Sequence, residues 1–150
     1  MGITYRCKKD HSVDYDGTYS GIYRLRRHLV QALPSPAKEH FMELYPSAGT
    51  FFDERDDAWY TAYDRKTEEM IGKKLVSAKV VDFLYQPDCE GSIHYGACKQ
   101  ILALFEQLPD IEEISKECIG YAGRSDPMKI KDFLDLMRKC IESKCDLVWD

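Results

Sequence analysis

Apolar residues return every three or four positions along three stretches of this chain, and each of those stretches predicts a helix. From Tyr19 the pattern runs through Ile22, Tyr23, Leu29, Val30 and Leu33, the 3.6-residue period that lays one face against a core. Ser20 or Thr18 stands where a side-chain oxygen can accept a bond from a free N–H of the first turn. Leu33-Pro34-Ser35-Pro36 ends the pattern, because proline lacks an N–H and disfavours helix in the residue before it. The second stretch is His94 to Leu108, with Ala97, Cys98, Ile101, Leu102, Phe105 and Leu108 inward, stopped by Pro109-Asp110. The third opens at Ser125-Asp126-Pro127, where Asp126 suits the N-cap and Pro127 the first helical position. It turns Ile130, Phe133, Leu134, Met137, Cys140 and Ile141 inward.

The rest is patterned less sharply. Gly2 to Lys8 alternates and reads as a short strand, and Lys9 to Gly17, with its charges and a glycine, reads as a loop. A short helix is expected from about Ala37 to Tyr45, closed by Pro46, and Ser47 to Gly49 reads as a turn. Phe51 to Arg65 sets Phe51, Phe52, Trp59, Tyr60 and Tyr63 among acids and suits either a helix or a strand pair. Lys66 to Lys74 is charged. Leu75 to Tyr85 reads as a helix, although its valines also suit a strand. Gln86 to Gly91 is a turn, Ile111 to Ile119 a further short helix, Gly120 to Arg124 a turn, and Cys145 to Trp149 a strand. The expected architecture is mainly α within an α+β class. Four to six helices surround one core, with a small sheet from the N- and C-terminal strands, and residues 1–150 form a single domain.

Composition narrows the function classes. With 44% apolar and 31% charged residues, the chain is globular rather than disordered. Its formal net charge is −5, which disfavours nonspecific attraction to nucleic acid or anionic lipid. No run approaches the 18 apolar residues of a membrane span, and Met1 to Asp10 lacks the apolar stretch of a secretion signal. A cytoplasmic location is expected. On that expectation the six cysteines are free thiols, largely buried, since no C-x-x-C spacing occurs and a core of this size needs no staples. The 10 tyrosines suit a wet core edge first and a contact surface second.

The candidate sites are weak as motifs. Asp88-Cys89-Glu90-Gly91-Ser92-Ile93 imitates the centre of a calcium-binding loop, but Gln86 and Ala97 stand at the first and twelfth ligand positions and Ala97 offers no oxygen. Cys89, His94 and Cys98 lack the paired short spacings of a zinc site. No metal or other cofactor is therefore expected. No catalytic signature surrounds any serine, cysteine or histidine, so no catalytic residue is assigned. Arg24, Arg27 and His28 form a basic cluster on the outer face of the first long helix, without the net positive charge that nucleic-acid binding usually shows.

Arg26 differs from its neighbours. Its helical angle falls inside the apolar stripe between Ile22 and Leu33, and a charge aimed at a core needs a partner. The carboxylates of Asp88 and Glu90 are the partners expected here, in a structural pair or a polar site.

Two segments, Tyr19-Ser20-Gly21-Ile22-Tyr23-Arg24-Leu25-Arg26 and Asp88-Cys89-Glu90-Gly91-Ser92-Ile93 with Cys98 after it, resemble a group of small uncharacterised bacterial and phage proteins. Those share a Y-S-x-F-x-x-F-R-like start, an S-D-C-[DE]-G-x-[IL] turn and a final amphipathic helix running into an apolar tail, which Asp126 to Trp149 resembles. Pro87 stands where the group usually has Ser, and Pro34 to Leu75 has no counterpart. The resemblance implies a bacterial or mobile-element source but no chemistry. The function expected is a non-catalytic protein-interaction or accessory factor that binds another protein through a tyrosine-rich acidic face. The alternative is a small enzyme with a polar site around Arg26, Asp88 and Glu90.

Overall fold

The computed structural model describes residues 2–45, 55–121, 123 and 125–150. The turn expected at Ser47 to Gly49, the closing Pro46 and the aromatic pair Phe51 and Phe52 lie outside the described residues. Two strands come first, β1 (Gly2–Cys7) and β2 (Asp14–Thr18), followed by helices α1 (Tyr19–Gln31), α2 (Ala37–Met42), α3 (Asp57–Gly72) and α4 (Ala78–Tyr85). Strand β3 (Gly91–Ile93), helices α5 (Tyr95–Glu106), α6 (Ile111–Ser115) and α7 (Ile130–Ser143), and strand β4 (Leu147–Trp149) complete the order. The architecture is the expected α+β one. Seven helices stand among the described residues, one more than the upper end of the four to six expected, because the stretch left open between helix and strand pair forms α3.

The sheet is antiparallel with strand order β2-β1-β4-β3, so the two chain ends pair at its centre. Both edge strands fall where the sequence suggested a loop and a turn. Asp14 to Thr18 pairs residue by residue with Arg6 to Gly2, and Gly91 to Ile93 pairs with Trp149 to Leu147. Edge strands are short and half solvated, and their polar residues conceal them in the hydrophobic pattern. The ambiguous stretch Trp59 to Arg65 is helical and continues through Lys66 into one helix, α3, that Asp56 caps by accepting from the Trp59 N–H at 2.8 Å.

Helices α5 and α7 pack on each other, and α7 also lies against β1 and β4. Their junction is aromatic. Tyr5 meets Phe133 edge-on at 5.6 Å, and Phe83 meets Trp149 edge-on at 5.9 Å. Helix α1 begins at Tyr19, with Thr18 as its cap, accepting from the Gly21 N–H at 3.0 Å. Helix α7 starts later than expected. Its N-cap is Lys129 rather than Asp126, and the Asp132 carboxylate accepts from the Lys129 N–H at 2.9 Å. Residues just before it are diverted into a bridge between Lys129 and Cys118, which also cuts α6 short of Ile119.

The cysteines correct the expectation of six free thiols. Cys7, at the end of β1, is joined to Cys145, which follows α7, across a separation of 138 residues. Strand pairing brings the two together: Cys7 lies opposite Leu147 in the register, and the Lys8 N–H donates to the Asp146 carbonyl at 2.8 Å. Cys89, Cys98, Cys118 and Cys140 are free, with Cys98 and Cys140 buried. No helix among the described residues is long and apolar enough to cross a membrane.

Candidate functional site

The first long helix carries Arg26 into the core, where it is 2% exposed. Its Nη1 donates to Asp88 Oδ1 at 2.7 Å, and its Nη2 donates to the Gln86 carbonyl at 2.8 Å. The guanidinium also lies 5.0 Å from the Phe83 ring centre and 6.0 Å from that of Trp149. Carboxylate, carbonyl and ring faces together offset the removal of this charge from water. Two neighbours are less completely satisfied, since the Tyr5 hydroxyl and the Trp149 indole N–H are buried without a hydrogen-bond partner among the described residues, as is Arg26 Nε.

Above this pair opens a cleft of about 380 Å³. Arg26 and Asp88 form its floor, with Gln86 beside them. Its walls are tyrosines from four parts of the chain: Tyr23 from α1, Tyr45 after α2, Tyr60 and Tyr63 from α3, and Tyr85 from α4. Each is held by a different contact. Tyr23 and Tyr45 meet edge-on at 5.4 Å, and the Tyr45 hydroxyl donates to the Leu84 carbonyl. The Tyr63 hydroxyl donates to the His40 carbonyl at 2.8 Å, and its ring is sandwiched between His40 at 3.9 Å and Trp59 at 4.8 Å. Tyr85 shares a hydrogen bond with Thr67 at 2.8 Å and reaches Asp64 at 3.4 Å. Tyr60 and Tyr85 stay exposed at the rim.

Burial raises the pKa of these phenols, that of Tyr45 up to about 12 and those of Tyr23, Tyr63 and Tyr85 in the same direction. All four remain neutral at physiological pH, so they offer aromatic surface and hydroxyl groups but no phenolate, with both faces of Tyr63 already covered by His40 and Trp59. The charged groups among the described lining residues are Arg26, Asp64 and Asp88. That lining includes no serine, cysteine, histidine or lysine.

The other sequence candidates are placed elsewhere. Glu90 is exposed and lines a shallower depression with Pro87 and Val148. Cys89 is exposed, Cys98 is buried, and His94 caps α5 through Nδ1, which accepts from the Gly96 N–H at 3.0 Å. These three do not converge among the described residues. The basic cluster of α1 is committed internally. Arg24 and His28 both reach Glu117, at 3.2 and 2.7 Å, and Arg27 donates to the Tyr45 carbonyl. Sequence reasoning missed Tyr63, Asp64 and Tyr85 as site residues; the surplus of tyrosine was the signal that pointed toward them.

Comparison with protein-family models, with curated proteins and with solved structures gives no match.

Proposed function

We propose that this chain is a non-catalytic recognition factor, cytoplasmic and of bacterial or phage origin, that takes a basic side chain of a partner protein into the tyrosine cleft. The observation that carries the reading is the lining itself. Tyrosine π-faces attract cations, by about 0.5–2 kcal/mol each depending on desolvation. Arg26 is already engaged by Asp88 and the Gln86 carbonyl, which leaves the Asp64 carboxylate as the surplus charge of the described lining. The net charge of −5 adds long-range attraction for a basic partner.

The concave shape favours the second reading, a small enzyme, over a flat contact patch, because polar side chains converge in a cleft. Against it, the described lining offers no thiol, imidazole or serine hydroxyl, and Glu90 stands outside. The binding reading needs only what is there.

Titration with N-acetyl-arginine amide and N-acetyl-lysine amide, with N-acetyl-glutamate amide as control, tests the proposal. Amide and ring resonances of Tyr60, Asp64 and Tyr85 should shift with either cation and not with the anion. Tyr60→Ala and Asp64→Asn should each weaken binding by about 1 kcal/mol, a factor of about five. Cleft resonances that answer only to the anion, or to nothing, overturn the reading.

A further inference from the structure

The sulfur atoms of Cys7, Cys140 and Cys145 all lie within 4.8 Å of one another, and all three residues are buried. No other group of three potential ligands converges in this way among the described residues. Three separate features of the fold produce the cluster. Cys140 sits in the last turn of α7. Lys144 then adopts a left-handed conformation, φ 52°, which folds the chain back so that the Cys145 N–H donates to the Cys140 carbonyl at 3.0 Å. Cys7 arrives from β1, fixed by its register opposite Leu147. The local turn at Lys144 joins Cys140 to Cys145, but Cys7 arrives from the far end of the sequence, so no short C-x-x-C spacing marks the cluster.

Two of the three sulfurs are joined in the structure, and the third stands beside the bond without any part in it. A structural staple needs two cysteines, and the third is surplus to it. Around a d10 metal ion with metal–sulfur bonds of about 2.3 Å, thiolate sulfurs lie about 3.8–4.0 Å apart, inside the 4.8 Å span of this group. We propose that the reduced protein binds one thiophilic d10 ion, Zn²⁺ or Cu⁺, through the thiolates of Cys7, Cys140 and Cys145, and that the bridged form is its metal-free oxidised state.

The exchange balances with a dithiol reductant. The reductant's two sulfurs surrender two electrons and two protons, become a disulfide, and leave Cys7 and Cys145 as thiols. The incoming ion then displaces the three thiol protons to the solvent, because the ligands are thiolates. Soft sulfur donors select zinc and copper(I) over magnesium or calcium, which sets the chemical class of the ion. Three donors suit trigonal Cu⁺, or Zn²⁺ with one further position.

The full chain, reduced with dithiothreitol and desalted without oxygen, is titrated with Zn²⁺ and separately with Cu⁺ against chromophoric chelators. One equivalent of either ion should be bound, and the equivalent should be lost when oxidised glutathione re-forms the bridge. Which of the two competes better identifies the preferred ion. Cys140→Ser should lose stoichiometric binding, and the exposed Cys89→Ser should keep it. Where Cys140→Ser fails to fold, alkylation of the unaltered chain replaces it: the ion should protect Cys7, Cys140 and Cys145 from iodoacetamide and leave Cys89 reactive. No equimolar binding of either ion, equal loss in Cys89→Ser, or protection confined to other cysteines overturns the proposal.

Discussion

Arg26 Nη1 donates to Asp88 Oδ1 at 2.7 Å across 62 residues of sequence, and the two partners differ greatly in exposure, 2% for the arginine side chain against 42% for the aspartate. The pair is therefore buried at one end only. It locks α1 to the turn between α4 and β3, and so sets the floor of the tyrosine cleft.

That asymmetry decides what Arg26→Ala does. Asp88 can hydrate when its partner is removed, so the loss comes chiefly from the cavity and the broken contacts, about 2–4 kcal/mol, rather than from a stranded acid. Arg26→Lys should recover little, because an ammonium cannot span a carboxylate and a carbonyl as the planar fork does. Arg24→Ala removes a half-exposed ion pair with Glu117 and should cost under about 1 kcal/mol. Urea unfolding of the three variants measures this. Equal small losses for Arg26→Ala and Arg24→Ala would show that Arg26 is solvated in solution.

Gly21 and Gly72 should respond in opposite directions to alanine. A Cβ on Gly21 would overlap the Ile119 carbonyl, which also accepts from the Thr18 N–H at 3.0 Å and from its hydroxyl at 3.2 Å. Gly21→Ala should push α1 off that anchor and destabilise by about 1–3 kcal/mol. Gly72 closes α3 with open space around it, so Gly72→Ala should stabilise by up to about 1 kcal/mol through helix propensity. Thermal unfolding compares them; a neutral Gly21→Ala would mean that α1 starts elsewhere.

His40 makes stability depend on pH. Burial lowers its pKa below the ordinary 6.5, partly offset by the nearby Glu43 carboxylate. The ring is stacked on Tyr63 and hydrogen-bonded to Thr67 at 2.7 Å. A histidine that is harder to protonate in the fold than in the open chain binds fewer protons when native. Its contribution is therefore full above pH 6.5 and is lost as pH falls from there toward the lowered folded value. Denaturant midpoints between pH 7.5 and 5 should fall more steeply for the native chain than for His40→Gln. Parallel curves would remove His40 from the account.

Helices α1, α5 and α7 were legible through the apolar period of their inward faces. The longest helix, α3, was not, because Tyr63 and Thr67 are its buried residues. Ile22, Leu29 and Val30 set α1, Ala97, Cys98, Ile101 and Phe105 set α5, and Ile130, Phe133, Leu134, Met137 and Cys140 set α7, and all of these are buried. Arg26 stood out by its angle in that stripe. Edge strands such as Asp14 to Thr18 were not legible, since half their side chains face water and leave no contrast between faces. The cleft was hidden for another reason. Tyr23, Tyr45, Tyr63 and Tyr85 come from α1, the segment after α2, α3 and α4, and the tertiary packing of these parts brings them to one opening. The Cys7–Cys145 bridge is non-local in the same sense. The bridge follows from β1 and β4 pairing as neighbouring strands.

That bridge changes the topology of the unfolded chain. With Cys7 and Cys145 joined over 138 positions, thermal or chemical unfolding opens the stretch between them into a circle. A circle of this size has less entropy to gain than a line, by about 4–5 kcal/mol on a chain-entropy view. A protease that cuts once between the two cysteines leaves a single covalently continuous molecule. The paired ends stay tethered while the middle, cleft included, comes apart.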